Sequence, residues 1–425
     1  MTTVRVLLAL ASINNWYLEQ LDVNTAFLHG DLNEEVYMAL PPGLQVSDAD
    51  KNKVCKLTKS LYGLKEASRQ WFAKLSATLE ELGYKKSNSD YSLFTKHENK
   101  NFTALLVYVD DIILTGNCFS EIQKVKQFLD DKFTIKDLGN LKYFLGMEVS
   151  RSDSGIHLCQ RKYTLDLLSD TGYLASKPAT TPSVPGTHLS SNDGELLDSA
   201  AHSSYRTLIG RLQYLCNTRP DICYTVNQLS QYIDFPRTSH EQATHRLLRY
   251  LKTNPAKGLF FPSNSNIKLT AFSNSDWAGC PDTRRSVTSF CVFLGSSLIS
   301  WRSKKQQTVS RSSAEAEYRA LADTSQELQW MTSLFQQLPV QPQQPYFIYC
   351  DSLLAVKMTE NPVQHERTKH IEVDCHFTRD QVLANKLKVQ HVSTTLQLAD
   401  PFTKALPVHT FVDLISKLNM KSIHA

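Results

Sequence analysis

No CxxC pair occurs in the 425 residues, and the nine cysteines stand singly at irregular spacing. An odd, scattered set excludes a disulfide frame and paired-cysteine zinc modules, and argues for reduced thiols in an intracellular compartment. No apolar run reaches transmembrane length, so the expectation is a soluble chain with no membrane partner. The most leader-like stretch, Val6 to Ala11 behind Arg5, is too short to cross a bilayer and continues directly into Asn14, Asn15 and Trp16; it reads as an interior helix. A strong charge of either sign is also missing, since 46 basic and 42 acidic side chains leave +4. That balance permits a polyanionic partner without requiring one.

What is present is the composition of a globular protein, 41% hydrophobic and 21% charged, in a chain long enough for two or three domains. One stretch stands out. In LLVYVDDIILT, Leu105 to Thr115, the branched apolar residues read as two buried strands, with Asp110 and Asp111 where they would turn. Two adjacent carboxylates in a partly dry site repel unless a cation or proton compensates, and a divalent metal is the natural compensation. The plainer alternative is a solvated Asp-Asp hairpin tip.

Before that stretch, VRVLLALASI has helical spacing and QLDVNTAFL reads as extended, placing Asp22 on a strand. Taken alone, Asp22 reads first as a solvent-facing strand-edge residue, and Phe27 as core. Between Lys56 and Gly83, apolar residues Leu64, Ala67, Trp71, Leu75, Leu79 and Leu82 recur at three or four, predicting an amphipathic helix closed by Gly83. Glu121 to Phe133 predicts another. DLGNLKYFLGMEVSR then reads as a turn into a strand, with Gly139 and Gly146 at tight backbone.

Pro178, Pro182, Pro185 and Gly186 among polar residues predict a linker or exposed loop over 177–204. Beyond it, helical segments interleave Arg206, Arg211, Arg219, Arg246, Arg249 and Lys252 with Tyr205, Tyr214, Tyr224, Tyr232 and Tyr250. Such an array could track phosphates; an ordinary helical subdomain with solvated arginines is the alternative. From 266 onward come three strands, a long helix over 312–337, then strand, helix, strand and a last helix around Leu396 to Lys404. Three consecutive strands followed by alternating units is the pattern of the RNase H fold. His365, His370, Asp374, Cys375 and His376 cluster in sequence but lack zinc-type spacing.

Tyr108, Val109, Asp110 and Asp111, as YVDD, resemble the palm hairpin of reverse transcriptases, and KSLYGLKEASRQW resembles the KSLYGLKQAPRQW of copia-type LTR retrotransposon Pol proteins. The later stretches SNSDWAGCPDTRRS, LISWRSKKQQTVSRSSAEAEYRAL, IYCDS, HERTKHIEVDCHF and LQLADPFTK resemble the RNase H part of the same family, so the likeness covers nearly the whole chain. It implies a mixed α/β and α+β architecture. Residues 1–177 would be a reverse-transcriptase palm lacking the fingers that precede it in relatives, with their triphosphate-clamping Lys and Arg side chains. Residues 178–265 would be a linker with thumb and connection helices, 266–410 an RNase H-like domain, and 411–425 a tail.

The resemblance further implies RNA-directed DNA synthesis on Asp22, Asp110 and Asp111 with two Mg²⁺ or Mn²⁺ ions, because adding a nucleotide to a 3′-OH needs one ion to acidify the hydroxyl and another to hold the triphosphate. Phe27 would lie beneath the incoming sugar, and Tyr62 and Gly63 would contact nucleotide and template. Glu66 and Ser68 depart from the usual Gln and Pro. The implied partners are an RNA template, a DNA primer, their hybrid, dNTPs and other parts of a Pol polyprotein. Hybrid RNA would be cleaved at a second metal site on Glu317, Asp351 and Asp400. Glu315 competes with Glu317, but the two point about 200° apart around a helix, and Glu317 is chosen. The first acid of that set is missing: where relatives read SDAD, this chain has Asn274, with Asp276 two residues on along the same strand face. A catalytically inactive nucleic-acid-binding relic is therefore the rival expectation.

Overall fold

The computed structural model describes residues 1–45, 47, 52–360 and 372–422. Two compact units form, one from Asn15–Lys142 with Gln337–Pro339, the other from Met1–Asn14, Tyr143–Gln336 and Val340–Ala425.

The first unit is built on a six-stranded antiparallel sheet in the order Lys85–Lys86, Leu93–Glu98, Asn101–Tyr108, Asp111–Gly116, Tyr17–Val23, Ile135–Asn140. Alternation along the strands sends Leu21, Val23, Leu105, Val107, Ile112 and Leu114 into one core. Trp71, Leu75 and Leu79 of helix Ala67–Glu81 meet them there, as do Ile122, Val125 and Leu129 of helix Phe119–Phe133. The first of these helices starts later than its apolar spacing predicts. Gly63 takes φ +94° and Leu64 closes a turn onto the Leu61 carbonyl, so the periodic Leu64 precedes the helix. Lys126 fastens the second helix to the sheet by pairing with Glu19 and, at 2.8 Å, with Asp137.

In the second unit, three antiparallel strands, Leu269–Asp276, Val287–Leu294 and Ser297–Lys305, are extended by the parallel strands Tyr346–Cys350 and Leu387–His391. The helix Ser313–Phe335 packs on this sheet. Its first turn is capped by the Ser312 hydroxyl, which accepts from the Glu315 N–H at 3.2 Å. This is the RNase H-like arrangement that the strand order predicts. A further five-stranded sheet runs Met420–Ser422, Lys257–Pro262, Gly155–Cys159, Met147–Ser152, Tyr143–Phe144.

Three features differ from the sequence reading. The opening helix Thr2–Ile13 is grouped with the second unit: the Arg5 guanidinium lies 3.7 Å from the Trp301 ring centroid and donates to the Ile299 carbonyl, and the Ser12 hydroxyl donates to Phe261. The last helix is Val408–Lys417 instead of 396–404, where only single 3₁₀ turns form. Its Phe411, Leu414, Ile415 and Leu418 recur at helical spacing and are buried, and Met420–Ser422 then pairs with Lys257–Leu259, so residues 411–422 of the expected tail are a helix and a strand. The segment 177–198 is free of helix, as expected, but it is tied down by the basic residues read as a phosphate track. Arg249 donates to the Lys177 carbonyl at 2.7 Å, Lys252 to that of Ser176, and Arg246 to the Thr181 hydroxyl at 2.9 Å. Arg219 is buried in a two-pronged bond to Asp221, which also accepts from Tyr250, and Tyr205, Tyr232 and Tyr250 are buried. Loop anchoring and a buried ion pair account for most of that array.

Candidate active sites

The strands Asn101–Tyr108 and Asp111–Gly116 close at the Tyr108–Asp111 pair, leaving Val109 and Asp110 as the turn. Val109 sits at φ +58°, a strained conformation for a β-branched residue. The turn is held from below: the indole N–H of buried Trp71 donates to the Val109 carbonyl at 2.7 Å. Asp22, from far earlier in the chain, lies directly opposite Asp111 in the adjacent antiparallel strand. The next residue, Val23, donates its N–H to the Asp110 carbonyl at 2.9 Å. The fold therefore gathers all three acids at one end of the sheet's interior strands.

Their electrostatics fit that crowding. Partial burial raises the Asp111 carboxyl above its ordinary range, and the charges of Asp110 and Asp22 add to the shift, while a hydrogen bond from Gln20 at 3.2 Å opposes it. No Lys or Arg among the described residues pairs with any of the three. Tyr62 feels the same field: its phenol is raised by desolvation and then by Asp110 and Asp22. The half-buried Phe27 ring meets Tyr62 edge-on, centroids 4.5 Å apart, and Gly63 leaves open space where a Cβ would stand. Gln20 was not singled out from sequence, although its position two residues before Asp22 puts it on the same strand face.

In the second unit, Glu317 accepts from the Ser275 N–H at 3.0 Å and from the Cys350 thiol at 3.7 Å. Among the described residues, Glu317, Cys350 and Asp351 form a trio whose ligand atoms lie within 4.8 Å of one another. Burial first, then the charge of Asp351, pushes Glu317 up to about 8. Asp400 is pushed up to about 6, chiefly by burial, against the pull of Lys404 at 3.0 Å. Glu315 points elsewhere, accepting from the Arg311 N–H and from Arg319. Asn274 is buried and donates its amide N–H to Asp400 and, at 3.3 Å, to Thr403. Asp276 packs against Gly279, whose missing Cβ gives it room. Cys350 was missed from sequence because a lone buried cysteine carries no signal. The His365 and His370 positions and the Cys375 side chain lie outside the described residues.

An acid-bearing palm hairpin in an antiparallel sheet, followed by an RNase H-like sheet, defines the reverse transcriptase and RNase H fold class. Residues 1–185 match the family described as reverse transcriptase (RNA-dependent DNA polymerase). The chain is 45% identical over 422 residues to the retrovirus-related Pol polyprotein from transposon RE1 of Arabidopsis thaliana, covering 99% of this chain and 29% of that protein. It is 38% identical to the Pol polyprotein from transposon TNT 1-94 of Nicotiana tabacum, over 97% of this chain and 31% of that one. A putative transposon Ty5-1 protein of Saccharomyces cerevisiae is matched over its full length (100%), with 30% identity across 72% of this chain. The chain belongs to the copia-type retrotransposon Pol family, and it spans under a third of the length of the two plant polyproteins. No helix among the described residues is long and apolar enough to cross a membrane.

Proposed function

We propose that this chain carries the polymerase centre of a retrotransposon Pol protein and extends a DNA primer on an RNA template from dNTPs, by two-metal nucleotidyl transfer to the primer 3′-OH. The observation that carries this reading is the facing pair Asp22 and Asp111 beside the turn residue Asp110. The site fits Mg²⁺ or Mn²⁺: three hard oxygen donors crowd together without a protein cation, and burial already disfavours the charge on Asp111. Divalent ions held by Asp22, Asp110 and Asp111 would acidify the 3′-OH and offset charge on the transferring phosphoryl group. The chain's own residues do the positioning. Trp71 holds the hairpin turn through Val109, Gln20 orients Asp111, and Phe27 against Tyr62 forms a floor for the sugar. The open backbone at Gly63 admits a nucleotide or template close to the chain.

The RNase H-like centre supports a second reading. Glu317, Asp351 and Asp400 remain, but the position of the first acid holds an amide, and Asn274 and Lys404 already satisfy Asp400. This donor set does not fit a two-metal nuclease, which needs uncommitted carboxylates on both ions. We therefore propose that this domain binds the RNA/DNA hybrid without cutting it. Primer extension on a poly-rA template tests the polymerase reading. Wild-type extension that is lost in Asp110→Asn is expected; equal signals from the two proteins remove it.

A further inference from the structure

A cavity of about 370 Å³ opens in the second unit among the segment 182–189 and helices Cys223–Ser230 and Thr238–Thr253, with Ala405 also in its wall. Small-molecule sites run from roughly 300 to 1,000 Å³. None of the candidate catalytic residues lines it.

Two side chains of the wall each keep one buried polar atom without a hydrogen-bond partner. Arg246 places one terminal nitrogen on the Thr181 hydroxyl, yet its Nε is buried without a hydrogen-bond partner, and no carboxylate among the described residues forms an ion pair with it. Thr225, only 4% exposed, likewise keeps a buried hydroxyl without a partner. Buried donors of this kind are rare in folded proteins unless something else satisfies them. Burial, with the like charge of Arg249, holds the Arg246 guanidinium below its ordinary range, the environment in which an added anion stabilises a cation.

The remaining wall narrows the ligand's chemistry. A guanidinium is a planar fork that matches an oxyanion two bonds at a time. Pro182, Val184 and Leu189 offer apolar surface suited to the face of a ring, and Gln228 and Gln242 each present a donor and an acceptor at once. His188 adds a second group able to carry positive charge. Asp193 is the carboxylate in the wall; burial lowers the nearby His240, whose Nδ1 accepts from the Arg237 N–H, so His240 does not offset the Asp193 charge, which confines an oxyanion to the Arg246 side of the cavity.

We propose that this cavity binds a phosphate monoester carried on a flat ring system, of nucleoside-monophosphate size, with Arg246 on the phosphate and the two carboxamides on the ring edge. The site is separate from the palm and stands whether or not the palm polymerises.

Calorimetric titration of the full chain with AMP tests it, with adenosine and inorganic phosphate as separate probes. Saturable one-to-one AMP binding is expected, weakened by about tenfold or more when either half of the ligand is offered alone. Arg246→Gln should weaken AMP binding by about tenfold or more, and Asp110→Asn should leave it unchanged. Gln242→Ala, at an exposed rim position, should weaken it severalfold and decides the matter if Arg246→Gln misfolds. Absence of saturation, adenosine binding as tightly as AMP, or loss of binding in Asp110→Asn with retention in Arg246→Gln would each overturn the proposal. So would an unchanged affinity in Gln242→Ala.

Discussion

Asp22 and Asp111 face each other across adjacent antiparallel strands, a like-charge pair at the position where cross-strand side chains come closest. Such a pair destabilises the sheet that holds it, by roughly 0.2–1 kcal/mol before Asp110 is added. Retaining it makes physical sense if a cation resolves the repulsion. Asp22→Asn should therefore raise the thermal stability of the metal-free protein by up to about 1 kcal/mol while removing most of the stabilisation that Mg²⁺ confers. Unfolding curves with and without Mg²⁺ check both halves; a less stable metal-free Asn variant would contradict this.

Trp71 is expected to act through the turn it supports. Its indole donates to the Val109 carbonyl, and Val109 holds a conformation that its β-branched side chain disfavours. Trp71→Phe keeps most of the ring but leaves that carbonyl without its donor, at a cost of about 1–3 kcal/mol. Primer extension should fall more than stability does, because the turn carries Asp110. A variant with wild-type kcat and lowered stability would assign Trp71 to packing alone.

Stability of the RNase H-like part should fall as pH rises between about 4.5 and 8. In the folded chain Glu317 keeps its proton up to about 8, whereas in the unfolded chain the carboxyl ionises near its ordinary value of 4.5. Within that window the folded state binds more protons, so raising the pH favours unfolding, by up to roughly 1.4 kcal/mol per pH unit. Asp400 adds a similar slope below its value of about 6. Glu317→Gln should flatten the profile over the upper part of the window. Chemical denaturation at a series of pH values reads this out; a slope unchanged in Glu317→Gln would refute it.

Asn274→Asp should convert a self-satisfied centre into a metal-dependent one. The amide N–H that now reaches Asp400 would become a carboxylate facing a carboxylate. In metal-free buffer the variant should be less stable by about 1–3 kcal/mol, and Mg²⁺ or Mn²⁺ should restore it. Cleavage of a labelled RNA/DNA hybrid should then rise above the wild-type background. Equal cleavage by both proteins would contradict a role for the amide in blocking hydrolysis.

Much of this was legible in the sequence. The branched apolar residues either side of Asp110 and Asp111 marked two buried strands and their turn. The long helix bearing Glu317 was readable from its apolar face. What escaped was set by long-range contacts. Nothing local to Thr2–Ile13 says that Arg5 lies over Trp301, so that helix was assigned with its neighbours in sequence. The basic residues after residue 205 looked free because the acceptors of Arg249, Lys252 and Arg219, the carbonyls of Lys177 and Ser176 and the Asp221 carboxylate, are visible only after folding. The helical spacing of Phe411, Leu414, Ile415 and Leu418 was present in the sequence but lay in a segment read as a tail.

The most direct test of a shared metal site on the palm is Mn²⁺ binding followed by electron paramagnetic resonance, in a Glu317→Gln background that weakens the second centre. With Asp22, Asp110 and Asp111 intact, saturable Mn²⁺ binding is expected, and Asp22→Asn should weaken it by about tenfold or more. Mn²⁺ binding that is indifferent to Asp22 would mean that the three acids do not act together.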